Sequence, residues 1–569
     1  MTVIEFNNLS FTYRDSDKKA IDDISIHIDE GDYVICMGHT GAGKSTLLYC
    51  LNSLIPNFIK GELEGSAFVL GKDIKKEKIQ NLSRYVGIVF QDFEAQLFST
   101  NVELEIAFGA ENLGLPRKEI KKRIDEILPL VKLDNLRNRE PSTLSGGQKQ
   151  RLAIASILAM RPKILALDEP TTDLDPIGKI EVLQLAKRLR ETGTTMILVE
   201  HETEEALSAD EMALLNNSKL IEVGSPENIV SNTELLLEAG VAPIQINEFY
   251  QKLLPHIEKS KLPLNLEKGV SYFAKNFKLK ENAIDFLTKK DKKYFERIKD
   301  EVAINVDNLF YTYPTGVKAL SNLILKIHKG EFVAIIGQNG SGKTTLAKNF
   351  NGLFYPTSGK VEIFGKNTRE ITRSDLGRIV GYVFQNPDHQ IFADTVWEEV
   401  SFGPKNYGLS KEEIEENVKQ ALSSVHLKGY EKMDPFTLTK GERQRVAVAS
   451  VLAVKPQIII LDEPTTGLDY RQQKSMMEMI CDLNKKGHTI VIITHSMKTV
   501  AKYANRTIVL DDGRLLMDDL TREVFSKEED LRKVCLKPPQ ITGFGNKLGV
   551  TVLNVDEMIK SIDFLIGSQ

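Results

Sequence analysis

A phosphate-loop pattern occurs twice in this chain, and each copy is followed by the same landmarks in the same order. Gly38-His39-Thr40-Gly41-Ala42-Gly43-Lys44-Ser45 and Gly337-Gln338-Asn339-Gly340-Ser341-Gly342-Lys343-Thr344 both fit G-x-x-x-x-G-K-[ST]. Gln91, Asp168 and His201 recur as Gln385, Asp462 and His495, each 294 positions later (385−91, 462−168, 495−201). The loop lysines are 299 apart (343−44), so a five-residue difference falls between Lys44 and Gln91. A period this long is the repeat of a whole domain, not of a solenoid unit.

The context of each loop is that of a parallel α/β sheet. Tyr33-Val34-Ile35-Cys36-Met37 and Phe332-Val333-Ala334-Ile335-Ile336 read as buried strands that feed a glycine-rich turn and a helix. Strand-like Ile164–Leu167 ends at Asp168, and Thr195–Val199 ends next to His201. Polar groups at the carboxyl ends of parallel strands are where such sheets hold ligands. Glycines let a backbone wrap phosphates, and helix-start N–H groups with a lysine balance their charge. Lys44 and Lys343 are expected on the β- and γ-phosphates. Ser45, Thr344, Asp168 and Asp462 suit a Mg²⁺ ion. Glu169 and Glu463 suit polarising a water, with His201 and His495 beside them.

Composition removes several classes. Net charge is −5, without the basic excess of a nucleic-acid binder. The four cysteines, Cys36, Cys50, Cys481 and Cys535, have no metal-ligand spacing. No signal peptide is read at Met1–Phe6, and no apolar run approaches the ~18 residues a membrane span needs.

With Leu144-Ser145-Gly146-Gly147-Gln148 and Thr172-Asp173-Leu174-Asp175 added to these landmarks, the chain resembles ATP-binding cassette (ABC) proteins over about four-fifths of its length. The resemblance implies an α/β fold of two tandem P-loop nucleotide-binding domains. Each has a parallel-sheet core, an antiparallel β subdomain and an inserted helical subdomain. It implies ATP and Mg²⁺ as cofactors and ATP hydrolysis as the activity. Residues implied at the nucleotide include Tyr13 and Tyr313 stacking adenine, Thr46 and Thr345 after the loops, and Gln91 and Gln385 at the metal and the reacting phosphate. The family pairs two domains head to tail, within one chain or between two. One site then joins Lys343 and Glu463 to Ser145, Gly146, Gly147 and Gln148; the other joins Lys44 and Glu169 to Thr439-Lys440-Gly441-Glu442. That second signature departs from the pattern: lysine replaces glycine at 440, costly if φ is positive there. Glu442 adds a negative charge, partly balanced by Lys440 and Arg443.

The segments Gln91–Phe98 and Gln385–Phe392 share Q-x4-Q-x-F and continue to Phe108-Gly109 and Phe402-Gly403. Here the chain looks like the ATPases of energy-coupling factor (ECF) importers of vitamins and cobalt or nickel. That resemblance implies integral-membrane transporter and substrate-binding partners, no nucleic acid, and a peripheral position on the cytoplasmic face of the membrane. The alternative is a ribosome- or nucleic-acid-associated twin-cassette ATPase, whose linker is typically long and strongly basic. The expected division is 1–238 and 302–524 for the two domains, 239–301 for a connector and 525–569 for a C-terminal appendage. The connector mixes apolar residues with a lysine surplus, as in Lys289-Lys290-Asp291-Lys292-Lys293, and reads as a solvated, partly helical linker, with a regulatory or docking subdomain as the alternative. Only modestly basic and broken by Pro255, Pro263 and Gly269, it does not favour the ribosome-associated reading.

Overall fold

The computed structural model describes residues 1–172, 174–296, 298 and 300–564. The chain divides into two compact units, one spanning Met1–Leu264 and the other most of Asn265–Gln569.

The strands of the first unit are β1 (Thr2–Tyr13), β2 (Lys19–Asp29), β3 (Tyr33–Gly38), β4 (Gly61–Val69), β5 (Lys72–Asp73), β6 (Val86–Val89), β7 (Ile164–Asp168), β8 (Thr195–Val199), β9 (Glu211–Asn216) and β10 (Lys219–Gly224). They form a four-stranded antiparallel sheet, β2-β1-β4-β5, and a six-stranded sheet, β10-β9-β3-β8-β7-β6. In the larger sheet all neighbours are parallel except β9 and β10. The two sheets follow from two sequence patterns. β2 alternates, with Ile24, Ile26 and Ile28 buried between exposed Ser25, His27 and Asp29, as a one-face strand must. β7 and β8 are buried at every position, as strands covered on both faces must be. Alternate residues of β7 feed separate cores: Leu165 and Leu167 join the helical side, Ile164 and Ala166 the antiparallel-sheet side.

The expected helical insert is present. Val102–Asn112, Arg117–Leu130 and Gly146–Leu158 are helices, and Ile120, Ile124, Ile127 and Leu128 are the buried stripe of the second. Spacings of three and four turn that stripe to one face.

In the second unit β11 (Phe277–Leu279) precedes β12 (Val302–Thr312), β13 (Lys318–His328), β14 (Phe332–Ile336), β15 (Ser358–Ile363), β16 (Lys366–Asn367), β17 (Val380–Val383), β18 (Ile458–Asp462), β19 (Thr489–Ile493), β20 (Arg506–Asp511), β21 (Arg514–Leu520) and β22 (Ile562–Phe564). The sheet orders β13-β12-β15-β16 and β17-β18-β19-β14-β20-β21 repeat those of the first unit.

The connector is not a solvated linker. Its helices Gln245–Leu253 and Leu266–Asn276 bury Ile246, Phe249, Tyr250 and Phe273. Its counterpart lies downstream, in the tail: Gln245, Ile246 and Phe249 recur as Gln540, Ile541 and Phe544, 295 positions on (540−245). The connector's β11 pairs antiparallel with the tail's β22, Phe277 opposite Phe564 and Leu279 opposite Ile562. Phe273 packs edge-on against Phe544, 5.8 Å between ring centres. Arg522 locks this assembly. Its guanidinium donates to Asp291 (2.7 Å) on the connector helix Ala283–Phe295 and to Glu557 (2.9 Å) on the tail helix Val555–Lys560.

Candidate functional site

Each phosphate loop leaves the end of its central strand and turns through left-handed glycines into a helix. Gly41 and Gly43 have φ of +82° and +101°, and Gly340 and Gly342 have +81° and +98°. At Gly38 a Cβ would stand 2.3 Å from the Leu215 carbonyl oxygen, and at Gly337 it would stand 2.3 Å from that of Leu510. Close packing on one side contrasts with open space around Gly41 and Gly340, which leaves room for a phosphate. Lys44 Nζ donates to the carbonyls of Gly38 and His39, both at 2.9 Å. Lys343 Nζ donates to those of Gly337 (2.9 Å) and Gln338 (2.7 Å). The lysines thus hold the loop curved while aiming a cation into it. His39 is tied within the loop, its Nδ1 2.7 Å from the Thr40 carbonyl and its Nε2 accepting from Asn217 N–H. Thr46 and Thr345, in the first turn, are 2.9 and 2.8 Å from the hydroxyls of Tyr13 and Tyr313. The tyrosines are thereby fixed beside the loops.

The metal-side carboxylates differ between halves. Asp168 is 1% exposed, and among the described residues neither of its oxygens has a partner at full hydrogen-bond geometry. Burial raises its carboxyl to about 6, against the pull of the nearby Ser45 hydroxyl. Asp462 accepts from Thr344 Oγ1 (3.0 Å) and from the hydroxyl of Tyr382 (2.8 Å). The position of Tyr382 is held by Ile88 in the first half (382−88 = 294). Sequence reading missed Tyr382, although the repeat itself marks the difference. A buried acidic pair of oxygens beside a loop hydroxyl fits a hard divalent cation such as Mg²⁺.

Glu169 and Glu463 have φ of +50° and +49°, the left-handed region that a non-glycine residue rarely adopts. Both stand just beyond a parallel strand. Glu169 accepts from Gln91 Nε2 at 2.8 Å and lies 2.8 Å from His201 Nε2. Burial pushes its carboxyl up, but His201, Lys44 and Thr172 outweigh it, and the group sits below its ordinary range. Glu463 has His495 Nε2 at 3.3 Å, and burial with the adjacent Asp462 raises its carboxyl. Gln385 is exposed. Asp173 lies outside the described residues.

The second signature carries no backbone strain. Lys440 opens the helix Lys440–Leu452 with a right-handed φ, as Gly146 does in Gly146–Leu158. The expectation of a costly lysine is overturned because a first-turn position asks for ordinary helical geometry. Glu442 accepts from the Thr439 N–H (2.9 Å) and hydroxyl (2.7 Å) and from the Tyr430 hydroxyl (3.0 Å). Gln148 makes the matching bond to the Ser145 N–H at 3.0 Å. The acid closes a capping box and is balanced locally. Arg443 does not balance it: its guanidinium is 2.7 Å from Asp388. Gly441 approaches Gln472, and Gly147 approaches Gly178.

The Q-x4-Q-x-F segments fold alike. The second glutamine is structural: Gln96 accepts from Phe90 N–H (2.9 Å), and Gln390 donates to the Ala447 carbonyl (3.0 Å). Buried Glu105 and Glu399, not foreseen from the sequence, accept from the N–H groups of Phe98 and Ser99 and of Phe392 and Ala393. The phenylalanines stay outside. Phe98 meets Phe108 edge-on at 4.5 Å, and Phe392 meets Phe402 at 4.8 Å, all four rings exposed.

A family model described as ABC transporter matches residues 21–172 and 320–466, one stretch around each of these sites. The chain belongs to the ABC transporter family. A protein of Caldanaerobacter subterraneus subsp. tengcongensis named as an ABC transporter ATP-binding protein is 49% identical over 97% of each chain. One of Methanosarcina mazei with the same description is 40% identical over 94% of this chain and 92% of its own. Among solved structures, cbiO1 of Clostridium perfringens is 36% identical, covering 42% of this chain and 98% of its own, with a TM-score of 0.39. The two matched stretches make the chain an ABC ATPase with two tandem nucleotide-binding domains. No helix among the described residues is long and apolar enough to cross a membrane.

Proposed function

We propose that this ABC ATPase is the energy-coupling subunit of an ECF-type importer, driving uptake of a vitamin, vitamin precursor or metal ion through separate membrane subunits. The observation that carries the reading is the exposed edge-to-face phenylalanine pair, present once per half, with one ring on the loop that follows Gln91 or Gln385 (Phe98, Phe392) and the other on the next helix (Phe108, Phe402). Exposed aromatic rings held in a fixed place are a contact for an apolar partner helix. Glu94 and Asp388 are already engaged in their own halves, with Lys149 (2.9 Å) and Arg443 (2.7 Å). Reversing those charges would disturb two contacts at once, so the rings are the cleaner probe.

In the proposed cycle Lys44 and Lys343 bind the terminal phosphates, and Tyr13 and Tyr313 orient the base. Ser45 with Asp168, and Thr344 with Asp462, would hold Mg²⁺, with Gln91 and Gln385 beside it. The ion neutralises charge on the β- and γ-phosphates when bound. Glu169 and Glu463 orient the attacking water and take its proton, while His201 and His495 hold the glutamates. Head-to-tail closure brings Ser145, Gly146 and Gly147, or Thr439 and Gly441, to the γ-phosphate of the opposite half. ATP favours closure because it gains contacts from both halves only then.

The test is purification from native membranes in mild detergent. Hydrophobic membrane proteins are expected to accompany the chain, and Phe98→Ser with Phe392→Ser to reduce their recovery at least tenfold while ATP binding is kept. Recovery of ribosomes in their place would establish the twin-cassette alternative.

A further inference from the structure

We propose that the second half carries a binding site, separate from its phosphate loop, for a soluble phosphate ester bearing an aromatic ring. The site is an open cleft of about 590 Å³ bordered by Phe310, Thr312, Lys318, Ser321, Asn322 and Arg514. Clefts that hold small organic ligands run from roughly 300 to 1,000 Å³.

The first half supplies an internal control. There Lys19 Nζ is 2.8 Å from Glu64 and 3.2 Å from Asp22, and Lys219 Nζ is 3.5 Å from Asp22. Two cations and two acids close that surface on itself. The second half keeps both cations, as Lys318 (318−19 = 299) and Arg514 (514−219 = 295). It loses the acids: Asp22 becomes Ser321 (321−22 = 299), Glu64 becomes Ser358 (358−64 = 294), and Asp23 becomes Asn322. The frame is unchanged, since Ser321 N–H donates to the Gly513 carbonyl at 2.8 Å as Asp22 N–H does to that of Ser218 at 2.7 Å. Among the described residues, Lys318 and Arg514 make no ion pair, although the adjoining turn gains Asp511 and Asp512 where the first half has Asn216 and Asn217, and Asp511 is the cross-strand partner of Arg514. Two cations with hydroxyl and amide neighbours and no carboxylate in salt-bridge contact are the surroundings of a bound phosphate.

An aromatic has also been added. Ser10 of the first half is buried and accepts from Asp23 N–H at 2.9 Å. Its counterpart, Phe310 (310−10 = 300), is 39% exposed at the cleft. A ring can lie on it beside the two cations.

Phe310 and Thr312 alternate with Tyr311 in β12, and Tyr313 just past its end keeps to the side of Tyr311, their rings 5.1 Å apart, so the cleft is on the opposite face of the strand from the tyrosine beside the phosphate loop. One backbone layer separates the two. A Cβ on Gly342 would be 2.7 Å from both the Ala319 carbonyl oxygen and Leu320 Cδ2. A ligand gripping Lys318 and Arg514 therefore stiffens the wall against which the second phosphate loop packs, and changes how that half uses ATP.

Phenyl phosphate is the probe, titrated calorimetrically into the full chain carrying Lys44→Ala and Lys343→Ala so that the phosphate loops do not compete. One saturable equivalent per chain is expected. Ser321→Asp with Ser358→Glu, which restores the acids of the first half, is expected to weaken it at least tenfold with an unchanged melting temperature. Lys318→Gln with Arg514→Gln is expected to do the same. In the chain with native loops, phenyl phosphate is expected to shift the KM for ATP, and the acid-restored variant to lose that part of the shift. Absence of saturable heat, two equivalents per chain, or native affinity in both double variants would overturn the site. Cation-dependent binding to phosphatidic acid vesicles without binding of phenyl phosphate would overturn the soluble ligand.

Discussion

At the residue scale the two halves are chemically unequal, and the inequality sits in the carboxylates. Glu169 is held by Gln91 and His201, both at 2.8 Å, and its carboxyl is kept below its ordinary range, burial being outweighed by His201 and Lys44. Glu463 is raised by burial and by Asp462. A base works best near the operating pH, and on that ground Glu463 is expected to be the better proton acceptor. Glu463→Gln is expected to lower steady-state phosphate release of the assembled complex by roughly 10²–10³, the scale of losing a placed transition-state group. Glu169→Gln is expected to leave several-fold more activity; equal losses would show that the sites turn over as a coupled pair. Tyr382 gives a second test. Tyr382→Phe removes one of the hydrogen bonds that hold Asp462, a charge-assisted contact of about 1.5–3 kcal/mol. The Mg²⁺ concentration for half-maximal hydrolysis should rise several-fold. Ile88→Tyr in the first half, where Asp168 lacks that donor, should move it the other way.

At the element scale the connector and the tail depend on each other. Phe277 and Phe564 pair across β11 and β22 at 5.1 Å, and the Arg522 guanidinium joins two helices through Asp291 and Glu557. Burial would raise the Glu557 carboxyl, but Arg522 and Lys290 outweigh it and the group sits below its ordinary 4.5. A depressed carboxyl adds stability above its unfolded pKa and loses it as pH falls through the folded value. The Glu557 contribution is thus constant from neutrality to about pH 5 and disappears below it. Glu557→Gln is expected to cost about 3 kcal/mol at pH 7, because Arg522 loses a buried partner. The difference from the native chain should shrink below about pH 4. Paired denaturation curves at the two pH values check this; a gap independent of pH would mean that the ion pair contributes little.

At the scale of the whole molecule the chain carries two complete phosphate loops and, among the described residues, no membrane-spanning helix. Purified alone it is expected to hydrolyse ATP, to stop when Mg²⁺ is chelated, and to transport nothing when placed in vesicles. Uptake without a partner subunit would refute the energy-coupling reading. Both cassettes on one chain keep the second half at high effective concentration near the first, whichever pairing the assembly uses.

The sequence alone determined the elements whose signal is local. The phosphate loops and the strands ending at Asp168 and Asp462 are each written in a contiguous run. Period, caps and glycine turns act over a few residues, so a linear reading finds them. Tertiary structure decided what depends on residues far apart in the chain. Tyr382 reaches Asp462 across 80 positions, Lys290 reaches Glu557 across 267, and β11 finds β22 at the other end of its unit. It also decided that Lys440 carries no backbone strain, since the cost of a side chain at that site depends on the φ that the fold imposes. Burial and hydrogen-bond partners set the carboxylate charges, and both exist only once distant strands and helices have packed around them.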